Sequence, residues 1–177
     1  MDNISNLQMV DDFINTMPNK NMQAEAAASV YQDQLTKPSG SLGMLEELAV
    51  FLAGWQNSER PVIETAQAII FAGNHGICEQ GVNPYPQEVT QRMVSNFENG
   101  GAAMNQLCTL IGAELTVKPL SLESPTKDFT QTKAMSMTEL LDAMSAGIKS
   151  VNRSANIVLL GEMGIGNSTV PSALAAV

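Results

Sequence analysis

The sequence predicts an α/β protein: a parallel sheet with flanking helices, preceded by a small N-terminal helical part. Three observations carry this. Residues 66–72 and 157–160 are short apolar runs of strand length, and 114–118 is a further strand candidate. Stretches with apolar residues every three or four positions separate these runs, as crossovers between parallel strands require. Before residue 61 only helical patterns occur. The expected organisation is a helical part at 1–60 and an α/β domain at 61–177.

Along the chain, Ser5-Asn6-Leu7-Gln8 has the form of a capping box. Leu7, Val10, Ile14 and Met17 then recur at helical spacing, and Pro18 closes the pattern. Residues 23–35 are alanine-rich and free of Gly and Pro, which predicts a second helix. The segment Leu35 to Gly43 is dense in turn formers and carries one cation, Lys37, which reads first as a solvated loop lysine and second as a phosphate or carboxylate contact. Leu42, Leu45, Leu48, Ala49 and Leu52 form the stripe of a third helix, which Gly54 is placed to end.

Ala66 to Ala72 reads as a strand buried on both faces, running straight into Gly73-Asn74-His75-Gly76. In open α/β sheets, ligands sit beyond the carboxyl ends of strands. His75 is therefore open to three roles: general base, ligand contact, or a hydrogen-bonder that holds the loop, the last being the most frequent for such a histidine. Val82 to Gln87 is a proline-bracketed loop in which Tyr85 is either a surface lid or a wall for a flat ligand. Gln87 or Glu88 starts a helix with Val89, Met93 and Phe97 on one face; Gly100-Gly101 breaks it, and 102–110 resumes. The strand at 114–118 stops at Pro119. Residues 121–133 lack any apolar period and read as an exposed loop. Ser136-Met137-Thr138-Glu139 is a second capping box, leading a helix with Leu140, Leu141, Met144 and Ile148.

The last strand opens into Gly161-Glu162-Met163-Gly164-Ile165-Gly166-Asn167-Ser168-Thr169. Glycines let the backbone turn and approach a ligand; Asn, Ser and Thr are helix-capping types, with residues 173–177 as the start of the helix. Strand, glycine turn and helix start together suit an anion. Neither the Walker lysine nor the dinucleotide spacing is present, so neither standard motif applies. Glu162 either faces a non-anionic part of a ligand, or is merely solvated or caps a backbone amide.

At 177 residues and 44% hydrophobic content the chain can bury a core as one domain, or one with a small appendage. A net charge of -9 argues against nucleic acid or an anionic membrane as main partner. No apolar run spans a bilayer, and the first residues lack a signal pattern. Cys78 and Cys108 stand at no metal spacing, so a reduced, cytoplasmic protein without metal or cofactor is expected. Cys108 reads as core. Cys78, near the one histidine, reads as a free thiol rather than a nucleophile, because nothing nearby would orient His75.

Five segments together resemble the nicotinate-nucleotide–dimethylbenzimidazole phosphoribosyltransferases: Thr36-Lys37-Pro38-Ser39-Gly40-Ser41-Leu42-Gly43, Phe71-Ala72-Gly73-Asn74-His75-Gly76, Tyr85-Pro86-Gln87-Glu88-Val89-Thr90, Gly100-Gly101-Ala102-Ala103 and the 161–169 stretch. The resemblance runs from about residue 36 to the end, in the family's order. It implies a Rossmann-like fold, a homodimer, and transfer of phosphoribose from nicotinate mononucleotide to 5,6-dimethylbenzimidazole, giving α-ribazole 5′-phosphate and nicotinate. Among site residues it implies His75, Tyr85, Gln87, Met93, Gly164, Gly166, Asn167, Ser168 and Thr169 in substrate binding, with Tyr85 and Met93 beside the benzimidazole. Glu162 matches an active-site glutamate in a secondary role; the family's main base belongs to a glycine-rich motif beyond residue 177. Two departures stand out: Asn74 in place of the family's aspartate, and the stretch 117–131. A second reading is a non-catalytic α/β module that keeps the ligand loop without turnover.

Overall fold

The computed structural model describes residues 3–176. The chain divides into two compact units. One is Asp11–Glu64; the other runs from Thr65 onward and takes in the segment before Asp11.

In the α/β unit, β1 (Ala66–Ala72) is the central strand, with β2 (Glu114–Pro119) and β3 (Ile157–Met163) parallel on either side, in the order β2-β1-β3. The register sets Ile69 beside Thr116 and Leu160, and Ala72 beside Pro119 and Met163. Ala68, Ile69 and Ala72 have no exposed surface, which is why β1 is apolar almost throughout. Its one polar member, Gln67, is buried and fully used: Nε2 donates to the Ser150 carbonyl at 2.9 Å and Oε1 accepts from Asn152 N–H at 2.8 Å. Both partners lie where α6 (Met137–Ser150) ends, so this side chain ties that helix end to the sheet.

Between β1 and β2 come α4 (Glu88–Glu98) and α5 (Ala103–Ile111). Val94 of α4, Ala72, Leu122, Val117 and Met163 form a core directly beneath the carboxyl ends of the strands. Cys108 is buried, as its apolar neighbours indicate. The capping box of α6 is present: Glu139 N–H donates to Ser136 Oγ at 3.3 Å and Ser136 N–H to Glu139 Oε2 at 2.7 Å. Those bonds hold the Glu139 carboxyl below its usual range. Before α1 (Leu7–Asn15), Ile4 N–H donates to Ser145 Oγ at 2.8 Å, placing this segment on α6.

The helical unit contains α2 (Met22–Gln34) and α3 (Met44–Gln56), packed on each other. Asn21 caps α2 by accepting from Gln23 and Ala24 N–H. In the turn between them Lys37 pairs with Glu46 at 2.7 Å and is mostly covered. The solvated-lysine reading therefore fails: the Lys37 ammonium holds the Glu46 carboxyl below its usual range, aided by the Leu42 amide.

Five local expectations differ from the structure. β3 runs three residues beyond the expected 157–160, so Gly161, Glu162 and Met163 belong to the strand and not to the turn. Asn6, not Ser5, caps α1, its Oδ1 accepting from Met9 N–H at 3.0 Å. Gly54 is inside α3, where a Cβ would lie 2.7 Å from Glu25 Cγ; the helix ends instead at Asn57, in the left-handed conformation at φ 53°. The final helix α7 (Thr169–Ala175) starts four residues before the expected position. Lastly, the 121–133 segment is not simply exposed: Leu122 and Asp128 are buried.

Candidate functional site

After β1 the chain moves to β2 on one side, and after β2 it returns to the other side as β3. The carboxyl end of β1 is thus the point where strand order reverses, the place at which open α/β sheets bind ligands. Two loops leave the sheet there, residues 73–80 after β1 and 164–168 after β3, joined at their start by Gly73 N–H donating to the Met163 carbonyl at 3.0 Å.

The β1 exit is fixed by the 121–134 loop. Asn74 Nδ2 donates to the Leu122 carbonyl at 2.8 Å, and the Asn74 carbonyl accepts from Thr126 N–H at 3.2 Å. Gly76 N–H reaches Thr126 Oγ1 at 3.4 Å. A Cβ on Gly76 would lie 2.5 Å from Asp128 N, so only glycine allows the two backbones this close. Asp128 anchors the loop, accepting from Gln80 Nε2 at 2.6 Å and from Thr130 N and Oγ1 at 2.9 and 2.8 Å. The Gln80 bond, then the Thr130 amide, hold its carboxyl below the usual range. Asn74 is suited to its place, since an ionised aspartate could not donate to Leu122.

His75, between those two clamped residues, is half-buried, and its carbonyl accepts from Gln87 Nε2 at 2.9 Å. Burial pushes its imidazole below the ordinary histidine range, while the Glu162 carboxylate opposes this. A neutral ring results near pH 7. Its Nε2 would be 2.8 Å from a Cβ on Gly164, so the ring lies against the β3 exit.

Near the end of β3, Glu162 is exposed and accepts from Asn167 Nδ2 across the turn; its partner is a side-chain amide, not the backbone amide of the capping alternative. Ile165 N–H donates to Thr90 Oγ1 at 3.2 Å, and its carbonyl accepts from Cys78 Sγ at 3.1 Å. Gly166 is left-handed at φ 79°, with room for a Cβ denied by Cys78 Sγ at 2.6 Å. Asn167 and Thr169 amides are used within the turn, on Gly164 and Gly166 carbonyls. Among the described residues this leaves the Gly164, Gly166 and Ser168 amides without an acceptor. Ser168 precedes α7 but makes no side-chain cap bond, and Thr169 opens the helix, half-buried.

Tyr85 is 62% exposed, and its carbonyl accepts from Asn83 Nδ2 at 2.5 Å. Met93 is half-buried on α4. The structure thus brings His75, Gln87, Glu162, Gly164, Gly166 and Asn167 together, with Ser168 and Thr169 next in sequence; Tyr85 joins through Asn83, whose Oδ1 is 3.6 Å from the Gly166 Cβ position. Met93 stands outside this set of contacts. Sequence reasoning missed Thr90, Asn83 and the holding roles of Asn74 and Cys78. The available signal for Thr90 was a hydroxyl next to Val89, on the edge of an apolar helix face. The Cys78 thiol is pushed up by burial, which removes it further from nucleophile chemistry.

The family model described as "Phosphoribosyltransferase" matches residues 17–177. The chain belongs to that phosphoribosyltransferase family. It is 56% identical over 160 residues to the nicotinate-nucleotide–dimethylbenzimidazole phosphoribosyltransferase of Rhodobacter capsulatus, covering 90% of this chain and 48% of that protein. With the enzyme of the same name from Roseobacter denitrificans the figures are 50% over 172 residues, 97% and 51%. A crystal structure of nicotinate-nucleotide–dimethylbenzimidazole phosphoribosyltransferase from Thermus thermophilus superposes with a TM-score of 0.79 at 34% identity, covering 88% of this chain and 53% of that one. The chain spans about half the length of these phosphoribosyltransferases. As members of this family they support small-molecule chemistry; among the described residues no helix is long and apolar enough to cross a membrane, and no group of three or more His, Cys, Asp or Glu is placed to hold a metal.

Proposed function

We propose that this chain supplies the nucleotide-binding strand exits of an enzyme that moves phosphoribose from nicotinate mononucleotide to 5,6-dimethylbenzimidazole. The products are α-ribazole 5′-phosphate and nicotinate. The observation that carries this reading is the pairing of the two exits at the strand-order reversal, one with a neutral imidazole and the other with three uncommitted amides.

In this assignment the Gly164, Gly166 and Ser168 amides take the 5′-phosphate, and Asn167 and Thr169 keep the turn in shape. The phosphate needs amides here because the nearest carboxylate, Glu162, would repel it; Glu162 instead faces the sugar or the base, steadied by Asn167. Tyr85 and Met93 form the apolar slot for the flat benzimidazole, and Gln87 sets the loop that carries His75. A benzimidazole nitrogen attacks C1′ of the ribose as nicotinate leaves, and the N–H proton on the other nitrogen goes to a base. Glu162 has a secondary part in that step. No cofactor is needed.

The enzyme is proposed to act in the cytoplasm as a homodimer. Leu110, Leu160 and Leu174 are each more than 70% exposed, apolar surface that an adjoining chain would cover.

The test is a product assay with nicotinate mononucleotide and dimethylbenzimidazole, run beside a titration with the mononucleotide alone. Formation of α-ribazole 5′-phosphate, or saturable mononucleotide binding lost in Gly166→Ala, is the expected result. A folded sample with neither would overturn the proposal.

A further inference from the structure

Thr90, the third residue of α4, has a hydroxyl with no exposed surface. A buried hydroxyl without a hydrogen bond is costly, and valine would fill the same space. The compensation is the 3.2 Å bond from Ile165 N–H. Ile165 stands between Gly164 and Gly166, the two links of the turn with the greatest backbone freedom. On its other side the Ile165 carbonyl takes the Cys78 thiol at 3.1 Å. Both backbone groups of the central loop residue are therefore held from elements that follow β1. The same helix start that carries Thr90 also carries Gln87, bonded to the His75 carbonyl at 2.9 Å, and follows directly on Tyr85.

We propose that Thr90 is a positioning residue for the reaction: its hydroxyl fixes the Ile165 peptide, so that the neighbouring Gly164, Gly166 and Ser168 amides are pre-aimed at the phosphate. This rests on the substrate assignment above. A loop already ordered loses less conformational freedom when ligand arrives, and binds it more tightly for that reason.

Two variants separate this role from packing. Thr90→Val keeps the shape and removes the acceptor; Thr90→Ser keeps the acceptor and removes a methyl group. Amide hydrogen exchange at Ile165, read by NMR on the whole chain, is expected to be slow in the wild type. It should rise about tenfold or more in Thr90→Val, the factor that corresponds to about 1.4 kcal/mol, and stay near wild type in Thr90→Ser. Exchange at Ile69 and Ile70 should be unchanged in both. Nicotinate mononucleotide should bind about tenfold more weakly to Thr90→Val and within about twofold of wild type to Thr90→Ser. The opposite order, with Thr90→Val normal and Thr90→Ser impaired, would overturn the proposal. So would rapid exchange of the Ile165 amide in the wild type, a result that needs no variant to fold. The expected exchange pattern with no mononucleotide binding at all would uphold the latch and overturn the substrate assignment instead.

Discussion

The two loops that leave the sheet at the strand-order reversal are built in opposite ways. The β1 exit has its groups consumed: the Asn74 side chain and carbonyl and the Gly76 amide, on either side of His75, are fastened to the 121–128 segment, which Asp128 anchors through Gln80. The β3 exit is held by side chains alone at its centre, Thr90 and Cys78 on Ile165, and keeps amides free. A loop whose own groups are consumed is a support. One that retains unpaired donors is where a ligand can act. In the proposed assignment the β1 exit holds the imidazole in place and the β3 exit contacts substrate.

The most severe way to break this contrast is Gly76→Ala. Its new Cβ would meet backbone, which cannot swing away, so a loss of about 3 kcal/mol is expected. Calorimetry should show a fall in Tm of roughly 6–12 °C; an unchanged Tm would mean that the 121–134 loop is not seated on Gly76. Gly166→Ala attacks the other loop. Left-handed strain there costs about 1–2 kcal/mol, and the methyl pushes against Cys78 Sγ. Its melting point should fall less than that of Gly76→Ala, while mononucleotide binding should fall more. If both variants lost stability and binding in proportion, the division of labour would be wrong.

Smaller effects come with pH. His75 is the one histidine of the sequence, so its NMR titration is unambiguous. Its folded pKa is depressed, so between that value and the unfolded value of about 6.5 the unfolded chain binds more protons. Stability should therefore be complete above about pH 6.5 and decline as pH falls through the histidine window. Glu162→Gln removes the one charge that opposes the depression, and should move the His75 midpoint lower still. A midpoint above 6.5 would contradict the burial of the ring. Asp128 gives a separate acid limb: its carboxyl is also depressed, so its contribution is present above about pH 3.9 and lost below. Asp128→Asn should remove the Asp128 share of the acid limb, to which the depressed Glu46 and Glu139 carboxyls also contribute, and leave the histidine limb intact.

Much of this fold was legible because local signals and tertiary packing agree. β1 matches the expected run residue for residue, since a strand buried on both faces has to be apolar along its length. β2 differs only in including Pro119 as its last residue. The capping box at Ser136 also held, being complete within four residues. Failures occurred where distant partners decide. Gly54 is a sound helix stop by itself, but it sits where Glu25 of α2 comes close, and α3 runs on to Gln56. Residues 121–133 show no period, and nothing local announces that Gln80, 48 positions earlier, would bury Asp128. The glycine turn and His75 were visible in the motifs, and so was the likeness to a family. Thr90 and Cys78 were not, because their work depends on where Ile165 lies in space.

The contrast between the two exits is tested most sharply by an NMR titration of the chain with nicotinate mononucleotide, following backbone amides. Saturable shifts are expected, largest at Gly164, Gly166 and Ser168, with Gly76 and Cys78 moving little. Shifts confined to the helical unit, or a folded chain whose glycine-loop amides do not respond, would contradict the assignment of the β3 exit to substrate.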